Sequence, residues 1–333
     1  MLALVVVFGW VLPSMMDYET IWTSLKSLTL TDVAVLVALT VARIVSEAFI
    51  YRAMLPGLGI WTGSQAYTSS SAVTVLPPPA PSIVQYAYFR SADYDARTSA
   101  TAAAGTFVFP QAGRLVLPLI AFVALVIVRR ADGSTWLIAG AAAVVLVLAA
   151  VIVWLIGRSE TSARWVGRQL TRLISWVLAR FRRDPISDLG PAVLEFRDNV
   201  YRIVRERWLF GSLAVGFNLG VSFIMLLASL RFLGISSGEI PTVEVFAVFA
   251  AAFLAGTLIP LTAGGLGVVD LVLIVGINAV TNGDTSVIVA AVVVWRIFYD
   301  IVTMPVGVIT LLRFSHRHPD LLDQARDDLG SAS

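Results

Sequence analysis

The chain has 333 residues, of which 58% are hydrophobic and 14% are charged, and a mean hydropathy of +0.84, which excludes an ordinary soluble domain and indicates a membrane protein. It has no cysteine, so disulfide and thiolate chemistry are also excluded. The formal net charge is only +2, and Lys26 is the one lysine among 24 basic residues, so arginines dominate the charge pattern.

The apolar runs predict an all-α, polytopic membrane protein with about seven or eight membrane segments. The opening run, residues 1–12, is short and has neither a basic n-region nor a cleavage site, which favours a truncated transmembrane helix over a signal peptide. The runs that are long enough to span are residues 30–50, 98–128, 135–157, 209–233 and 285–312. Two others, residues 61–89 and 243–280, are interrupted by proline or glycine.

The first interrupted run breaks at residues 77–81, where four of the five residues are proline. Residues 61–89 are too few for two full crossings, which need roughly 40 residues, so we predict a re-entrant hairpin with Pro77 at its tip. Irregular backbone persists at bilayer depth only where it is buried in protein or lines a polar cavity. The tip is therefore a candidate site.

Asp93 and Asp95 have the spacing with which some glycosyltransferases hold a metal ion and a nucleotide sugar. Two carboxylates in a polar turn are far more often solvated, and no nucleotide-binding motif surrounds them. His316 and His318 lie in a polar tail, where a metal site is equally disfavoured. We predict neither a metal nor a cofactor.

Residues 158–207 form a basic insert with eleven arginines against six acids, which places this segment in the cytoplasm. Apolar residues recur there at helical spacing, which predicts two amphipathic helices on the inner leaflet, with a solvated hairpin as the alternative. The chain thus divides into a transmembrane domain, residues 1–313, that contains the insert, and a polar cytoplasmic tail, residues 314–333. We expect a multi-pass protein of the bacterial plasma (inner) membrane with both termini cytoplasmic.

The second interrupted run is broken by one proline, three glycines and an acid, namely Pro260, Gly264, Gly265, Gly267 and Asp270. A half-helix that begins after Gly265 would direct its positive N-terminal end into the membrane, where an anion binds favourably. Helix kinks that serve packing alone are the alternative.

The two breaks resemble each other. Residues 74–77 read Thr-Val-Leu-Pro and residues 257–260 read Thr-Leu-Ile-Pro. An arginine, Arg114, follows the first proline by 37 residues, and another, Arg296, follows the second by 36. We predict an inverted repeat with two broken or re-entrant helix hairpins, which is typical of transporters that bind substrate between the repeats.

Charged residues inside the apolar runs are further candidates, because charge at bilayer depth is costly unless it is paired or faces water. Arg43 and Glu47 lie one helical turn apart, as do Arg296 and Asp300, so each pair could bond along its own helix. The candidate substrate-binding residues combine these charges with the two breaks: Pro77, Pro260, Gly264, Gly265, Gly267, Arg43, Glu47, Arg114, Asp270, Arg296 and Asp300.

Arg114 and Asp270 have no such local partner, so they are free to meet each other or to bind substrate. The planar guanidinium suits a phosphate, which makes Arg114 and Arg296 candidates for holding a phospholipid head group. A structural network of ion pairs is the alternative.

Residues 260–270 read Pro-Leu-Thr-Ala-Gly-Gly-Leu-Gly-Val-Val-Asp, and Arg296 follows in the next helix. This segment resembles the Pro-x-Thr-Pro-Gly-Gly-Leu-Gly-x-x-Glu signature of the lysylphosphatidylglycerol synthase transmembrane, or flippase-like, family. Ala263 stands in place of the proline and Asp270 in place of the glutamate. Residues 76–90 are similar to the family's leucine-proline element. The resemblance extends over about residues 30–312 and implies a stand-alone membrane domain without the synthetase domain.

The resemblance implies a translocase, rather than an enzyme, that moves a phospholipid or a lipid-linked substrate. Arg114 and Arg296 would hold the lipid phosphate, and Asp270 would bind a cationic head group or a proton. The expected partners are membrane phospholipids or polyprenyl-linked lipids and not nucleic acid, with a homo-oligomer or a lipid-modifying enzyme as open alternatives. Other hypotheses are a polyprenyl-phosphate-dependent group transferase with Asp93 and Asp95 as metal ligands, and a scaffold for a lipid-modifying enzyme.

Overall fold

The computed structural model describes residues 23, 26–74, 80–128, 159–180, 190–258, 267–281 and 284–330. Regular structure in these ranges is entirely helical, which confirms the all-α prediction. Four stretches are long and apolar enough to cross a membrane: Leu30–Met54, Ala96–Ile127, Arg207–Phe232 and Thr285–Arg317. The predicted runs at residues 1–12 and 135–157 lie outside the described residues.

The helices in chain order are α1 (Leu30–Met54), α2 (Ile60–Ala72), α3 (Ala80–Arg90), α4 (Ala96–Ile127), α5 (Glu160–Arg180), α6 (Gly190–Phe232), α7 (Thr242–Leu258), α8 (Val268–Val280), α9 (Thr285–Arg296), α10 (Thr303–Arg317) and α11 (Pro319–Gly330). A single π-helical turn, Ile297–Ile301, joins α9 to α10. These helices match the predicted apolar runs that fall within the described residues.

Polar side chains fix where three of these helices begin. Thr29 and Asp32 form a reciprocal capping box at the start of α1, in which each side chain accepts a hydrogen bond from the other residue's backbone N–H. Asp95 caps α4 and Asp284 caps α9 more simply, each by accepting a single backbone N–H from the first turn. These caps satisfy N–H groups that have no partner within the helix.

The two interrupted runs form two pairs of short helices. α2 has 13 residues and α3 has 11, so at 1.5 Å per residue they extend about 20 and 17 Å, less than a hydrocarbon core of roughly 30 Å. α2 packs on α3, and α7 packs on α8 in the second pair. The connecting residues, 75–79 and 259–266, lie outside the described residues.

α6 combines a membrane span with part of the basic insert. Its backbone leaves helical geometry at Arg207, where φ is −133° and ψ is 17°, and the span Arg207–Phe232 begins there. α5 packs on α6, so the two helices predicted for the insert are confirmed as helices. Their position on the inner leaflet stays a prediction.

The helices pack through small residues and leave apolar side chains outside. α1 packs on α2 and α6, α4 packs on α7, and α10 packs on α2. α10 and α2 approach so closely that a Cβ added to Gly307 of α10 would lie 2.0 Å from the carbonyl oxygen of Thr68 in α2. Large apolar side chains such as Leu30, Ile127 and Leu312 are strongly exposed. Such a surface is unusual for a soluble monomer and suits contact with lipid.

Candidate functional site

Arg296, near the end of α9, is buried between two carboxylates. Its Nε donates to Oδ1 of Asp270 at 2.7 Å, and its Nη1 donates to Oδ2 of Asp300 at 2.7 Å. Nη2 also lies 2.6 Å from Oδ1 of Asp270, although its N–H bonds are not aligned with that oxygen. The Asp270 and Arg296 side chains are only 8% and 10% exposed, so this pair is shielded from water. The predicted pairing of Arg296 with Asp300 is confirmed.

Asp270 also organises the start of α8, directly after the glycine-rich break. Its Oδ2 accepts the backbone N–H of Gly267 at 2.9 Å, and Gly267 has φ of +86°, a left-handed conformation that glycine adopts without strain. One carboxylate therefore caps α8 and pairs with Arg296. Residues Pro77, Pro260, Gly264 and Gly265, predicted for the two tips, lie outside the described residues.

The π-helical turn after Arg296 is held by polar side chains of α1. Thr40 donates to the carbonyl oxygen of Phe298 at 2.9 Å, and Nη1 of Arg43 donates to the carbonyl oxygen of Tyr299 at 2.8 Å. The guanidinium of Arg43 lies 3.5 Å from the centre of the Tyr299 ring, and Nη1 also donates to the hydroxyl of Tyr67. Turns of this type leave backbone groups without helical partners and are frequent at functional sites.

Glu47 lies one turn beyond Arg43 on α1 and is half-buried. Nδ2 of Asn218, in α6, donates to its Oε1 at 3.1 Å and also to Oγ of Ser46 at 2.8 Å. Arg43 and Arg114 act on the Glu47 carboxylate electrostatically, but among the described residues neither of them bonds to it. The predicted Arg43–Glu47 pair is therefore wrong as a bonded pair, because Arg43 turns to Tyr67 and to the π-helical turn.

Arg114, in α4, is held beside the end of α7. Its Nη1 donates to Oε1 of Gln111 at 3.3 Å, and the same oxygen accepts a hydrogen bond from the hydroxyl of Thr257 at 3.1 Å. The guanidinium carbon lies 5.2 Å from the centre of the Phe253 ring. Nε of Arg114 is buried and has no hydrogen-bond partner among the described residues. This arginine thus has donors to offer a ligand.

Six charged side chains connect into what we call the charge cluster. Direct bonds join Arg296 to Asp270 and Asp300. The other members interact by charge without a bond: Arg43 with Asp300 and Glu47, and Glu47 with Arg114. Its members are Arg43, Glu47, Arg114, Asp270, Arg296 and Asp300. The predicted meeting of Arg114 with Asp270 is wrong, because Asp270 is occupied by Arg296 and by the backbone of Gly267.

Several residues of this site are not among the predicted ones. Asn218, Gln111 and Thr257 are polar residues inside apolar runs, which is the one signal in the sequence that could have indicated them. Tyr67 and Tyr299 carry no such signal, because tyrosine is common in apolar helices. Their role depends on the π-helical turn, which brings the Tyr299 carbonyl to Arg43.

Asp95, one of the two carboxylates considered as metal ligands, caps a helix. Its Oδ1 accepts the backbone N–H of Thr98 at 2.9 Å, and its Oδ2 accepts the Thr98 hydroxyl at 2.7 Å. Together these two hydrogen bonds hold the pKa of Asp95 below its usual range. Asp95 therefore has a structural role at the start of α4.

Comparison with known proteins gives one result that covers most of the chain. A family model described as "Lysylphosphatidylglycerol synthase TM region" matches residues 1–307. No curated protein matches the chain. The matched region contains all six members of the charge cluster and both helix breaks.

Proposed function

The chain belongs to the lysylphosphatidylglycerol synthase TM region family, and from that premise we propose that it moves a phospholipid or a related lipid-linked substrate between membrane leaflets. It is a multi-pass membrane protein connected to lipid handling, in keeping with its apolar helices and its family. We place it in a bacterial inner membrane with both termini cytoplasmic, because the arginine-rich insert favours that orientation.

The observation that carries the proposal concerns the second break, residues 259–266. Thr257, just before the break, shares a hydrogen-bond acceptor with Arg114 through Gln111. Asp270, just after it, bonds Arg296. Arginines are thus connected to both ends of the break. A guanidinium at bilayer depth is costly and usually serves a substrate path, and its planar shape suits a phosphate.

Within this pair, Arg114 is the better candidate for binding the lipid phosphate. Arg296 is neutralised by two carboxylates and its side chain is only 10% exposed, so a phosphate would have to displace an acid. Arg114 has a weak bond to a neutral amide, and its Nε has no partner within the part of the chain that the structure describes. We therefore assign phosphate binding to Arg114 and the positioning of the second break to Arg296 and Asp270.

The paired short helices support the transport mechanism. We propose that α2–α3 and α7–α8 are the two halves of an inverted repeat that enter the membrane from opposite sides. Transporters of this architecture bind substrate between their repeats near the midplane. Their broken helices provide polar backbone that is tolerated there only next to protein or a polar cavity. Each pair would open the site toward one leaflet.

Lipid movement by reconstituted protein tests this proposal. In vesicles with a fluorescent phospholipid, wild-type protein should make inner-leaflet label accessible to an external quencher. Arg114→Gln removes a charged donor to phosphate, which is worth about 1.5–3 kcal/mol, so we expect movement to slow about 10- to 100-fold. Arg114→Lys keeps the charge without the planar fork and should give an intermediate rate.

Arg164→Gln is the matched control, because it removes an exposed arginine from α5 whose acidic neighbour Glu160 is 4.0 Å away. Equal rates for Arg114→Gln and Arg164→Gln would contradict the assignment of Arg114. Slower lipid movement in Arg114→Gln supports the assignment only if the unfolding midpoint of this variant stays close to that of the wild type.

The two alternative functions have less support. The group transferase requires Asp93 and Asp95 to hold a metal ion, whereas both Asp95 oxygens accept hydrogen bonds from Thr98 at the start of α4. The scaffold would use α5 and the N-terminal part of α6. A homo-oligomer stays open beside it.

A further inference from the structure

Glu47 differs from the other two acids of the charge cluster. Asp270 and Asp300 each bond Arg296 at 2.7 Å or less. Among the described residues, the hydrogen bond to Glu47 comes from the neutral amide of Asn218 at 3.1 Å. A carboxylate without a bonded cation at bilayer depth is stabilised least in its charged form. A proton on Glu47 would therefore break no ion pair among the described residues, whereas a proton on Asp270 or Asp300 would disturb a bond to Arg296.

A proton on Glu47 would balance the charge of the cluster when a lipid binds. Three arginines and three acids make the cluster formally neutral in the absence of lipid. A lipid phosphate at Arg114 adds one negative charge to a region where uncompensated charge costs several kcal/mol. Protonation of Glu47 restores neutrality. It also removes the negative charge of Glu47, which acts on Arg114 and would repel an incoming phosphate.

We propose that Glu47 is a proton-binding site coupled to lipid binding, so that the protein takes up one proton at Glu47 when a lipid phosphate binds at Arg114. This inference rests on the proposed function and adds a coupling ion to it. Lipid and proton then bind and leave together. A proton gradient across the membrane would consequently drive the lipid in the direction of proton flow.

The groups around Glu47 fit this assignment. They come from α1 itself and from the elements packed against it: Arg43 and Tyr51 on α1, Tyr67 on α2, Arg114 on α4 and Asn218 on α6. Tyr299 and Asp300 of the π-helical turn act on Arg43 rather than on Glu47 itself. Arg43 is bonded to Tyr67 and to the Tyr299 carbonyl, so its position is fixed. Arg114 is the arginine of the cluster whose buried Nε has no partner among the described residues and can donate to a phosphate.

Proton-linked binding tests the inference on the full chain in detergent. Short-chain phosphatidylglycerol is titrated at several pH values, in buffers of different ionisation enthalpy, so that calorimetry reports proton uptake. Wild-type affinity should rise as the pH falls, by up to about tenfold per pH unit, the limit for one coupled proton. Glu47→Gln should bind with an affinity that does not change with pH, because the amide oxygen still accepts from Asn218 but takes up no proton.

Two further variants complete the test. Asn218→Asp places a second acid beside Glu47 and should move the pH dependence to higher pH. Glu160→Gln removes an exposed acid of α5 and should keep the wild-type pH dependence. If wild-type protein binds the lipid without taking up a proton, or if Glu47→Gln takes up as many protons as the wild type, the inference is overturned. The proposal that the protein moves lipid is unaffected by either result. Failure of wild-type protein to bind the lipid would contradict the proposed function and, with it, this inference.

Discussion

Replacing Asp270 with asparagine is expected to destabilise the protein by about 3–5 kcal/mol, the usual cost of removing one partner from a buried ion pair. The change leaves the Arg296 guanidinium, 10% exposed, with Asp300 alone, and Asp300 is itself 27% exposed. It also weakens the bond that Gly267 donates at the start of α8. Chemical denaturation of wild type and variant in the same detergent measures this difference.

A double-mutant cycle measures the interaction free energy of Asp270 with Arg296 separately from the contacts that each residue makes with its other neighbours. Arg296→Met alone should be as damaging as Asp270→Asn, because it leaves two buried acids without their cation. The double variant should cost less than the sum of the single ones by about 0.5–3 kcal/mol. The exposed pair Glu160–Arg164 serves as the control, with an expected contribution of about 0–1 kcal/mol. If the effects of the two substitutions on the free energy of unfolding simply added, the buried ion pair between Asp270 and Arg296 would be contradicted.

Replacing Gly307 with alanine is expected to force α10 away from α2. The added Cβ would lie 2.0 Å from the carbonyl oxygen of Thr68, and the obstacle is backbone, which does not rotate aside as a side chain does. Overpacking of this kind costs about 1–3 kcal/mol or more. The unfolding midpoint should fall, and the hydrogen bond between Ser69 and Thr310, 2.8 Å long, should be lost.

Gly216→Ala is the control for that prediction, because no described atom outside its own stretch of helix lies within 4 Å of its new Cβ. Alanine stabilises a helix interior by about 0.5–1 kcal/mol relative to glycine, so this variant should be at least as stable as the wild type. Equal stability of Gly307→Ala and Gly216→Ala would contradict the close approach of α10 to α2.

The sequence predicts helices and local pairs well, because both depend on spacing along the chain. Runs of apolar residues give α1, α4 and the membrane span of α6, Arg207–Phe232, within a few residues of their observed ends. The pairing of Arg296 with Asp300 follows from their separation by one α-helical turn. The pair forms even though Asp300 lies in a π-helical turn.

The sequence does not predict which side chains meet across helices. Asp270 and Arg296 are 26 residues apart, and their pairing depends on how α8 packs against α9. Arg43 has Glu47 at the correct spacing, yet it bonds Tyr67 and the Tyr299 carbonyl. A phenol and a freed backbone carbonyl compete with the carboxylate there. Neither competitor can be placed without tertiary structure.

Photo-crosslinking of a bound lipid tests the central claim, that a lipid phosphate binds at Arg114 beside the second break. A phospholipid with a diazirine in its head group is irradiated with the protein in vesicles, and the labelled residues are mapped by mass spectrometry. We expect labelling of α4 and α7 around Gln111 and Thr257, and its loss in Arg114→Gln. Labelling confined to the lipid-exposed faces of the helices, and unchanged in Arg114→Gln, would contradict the claim.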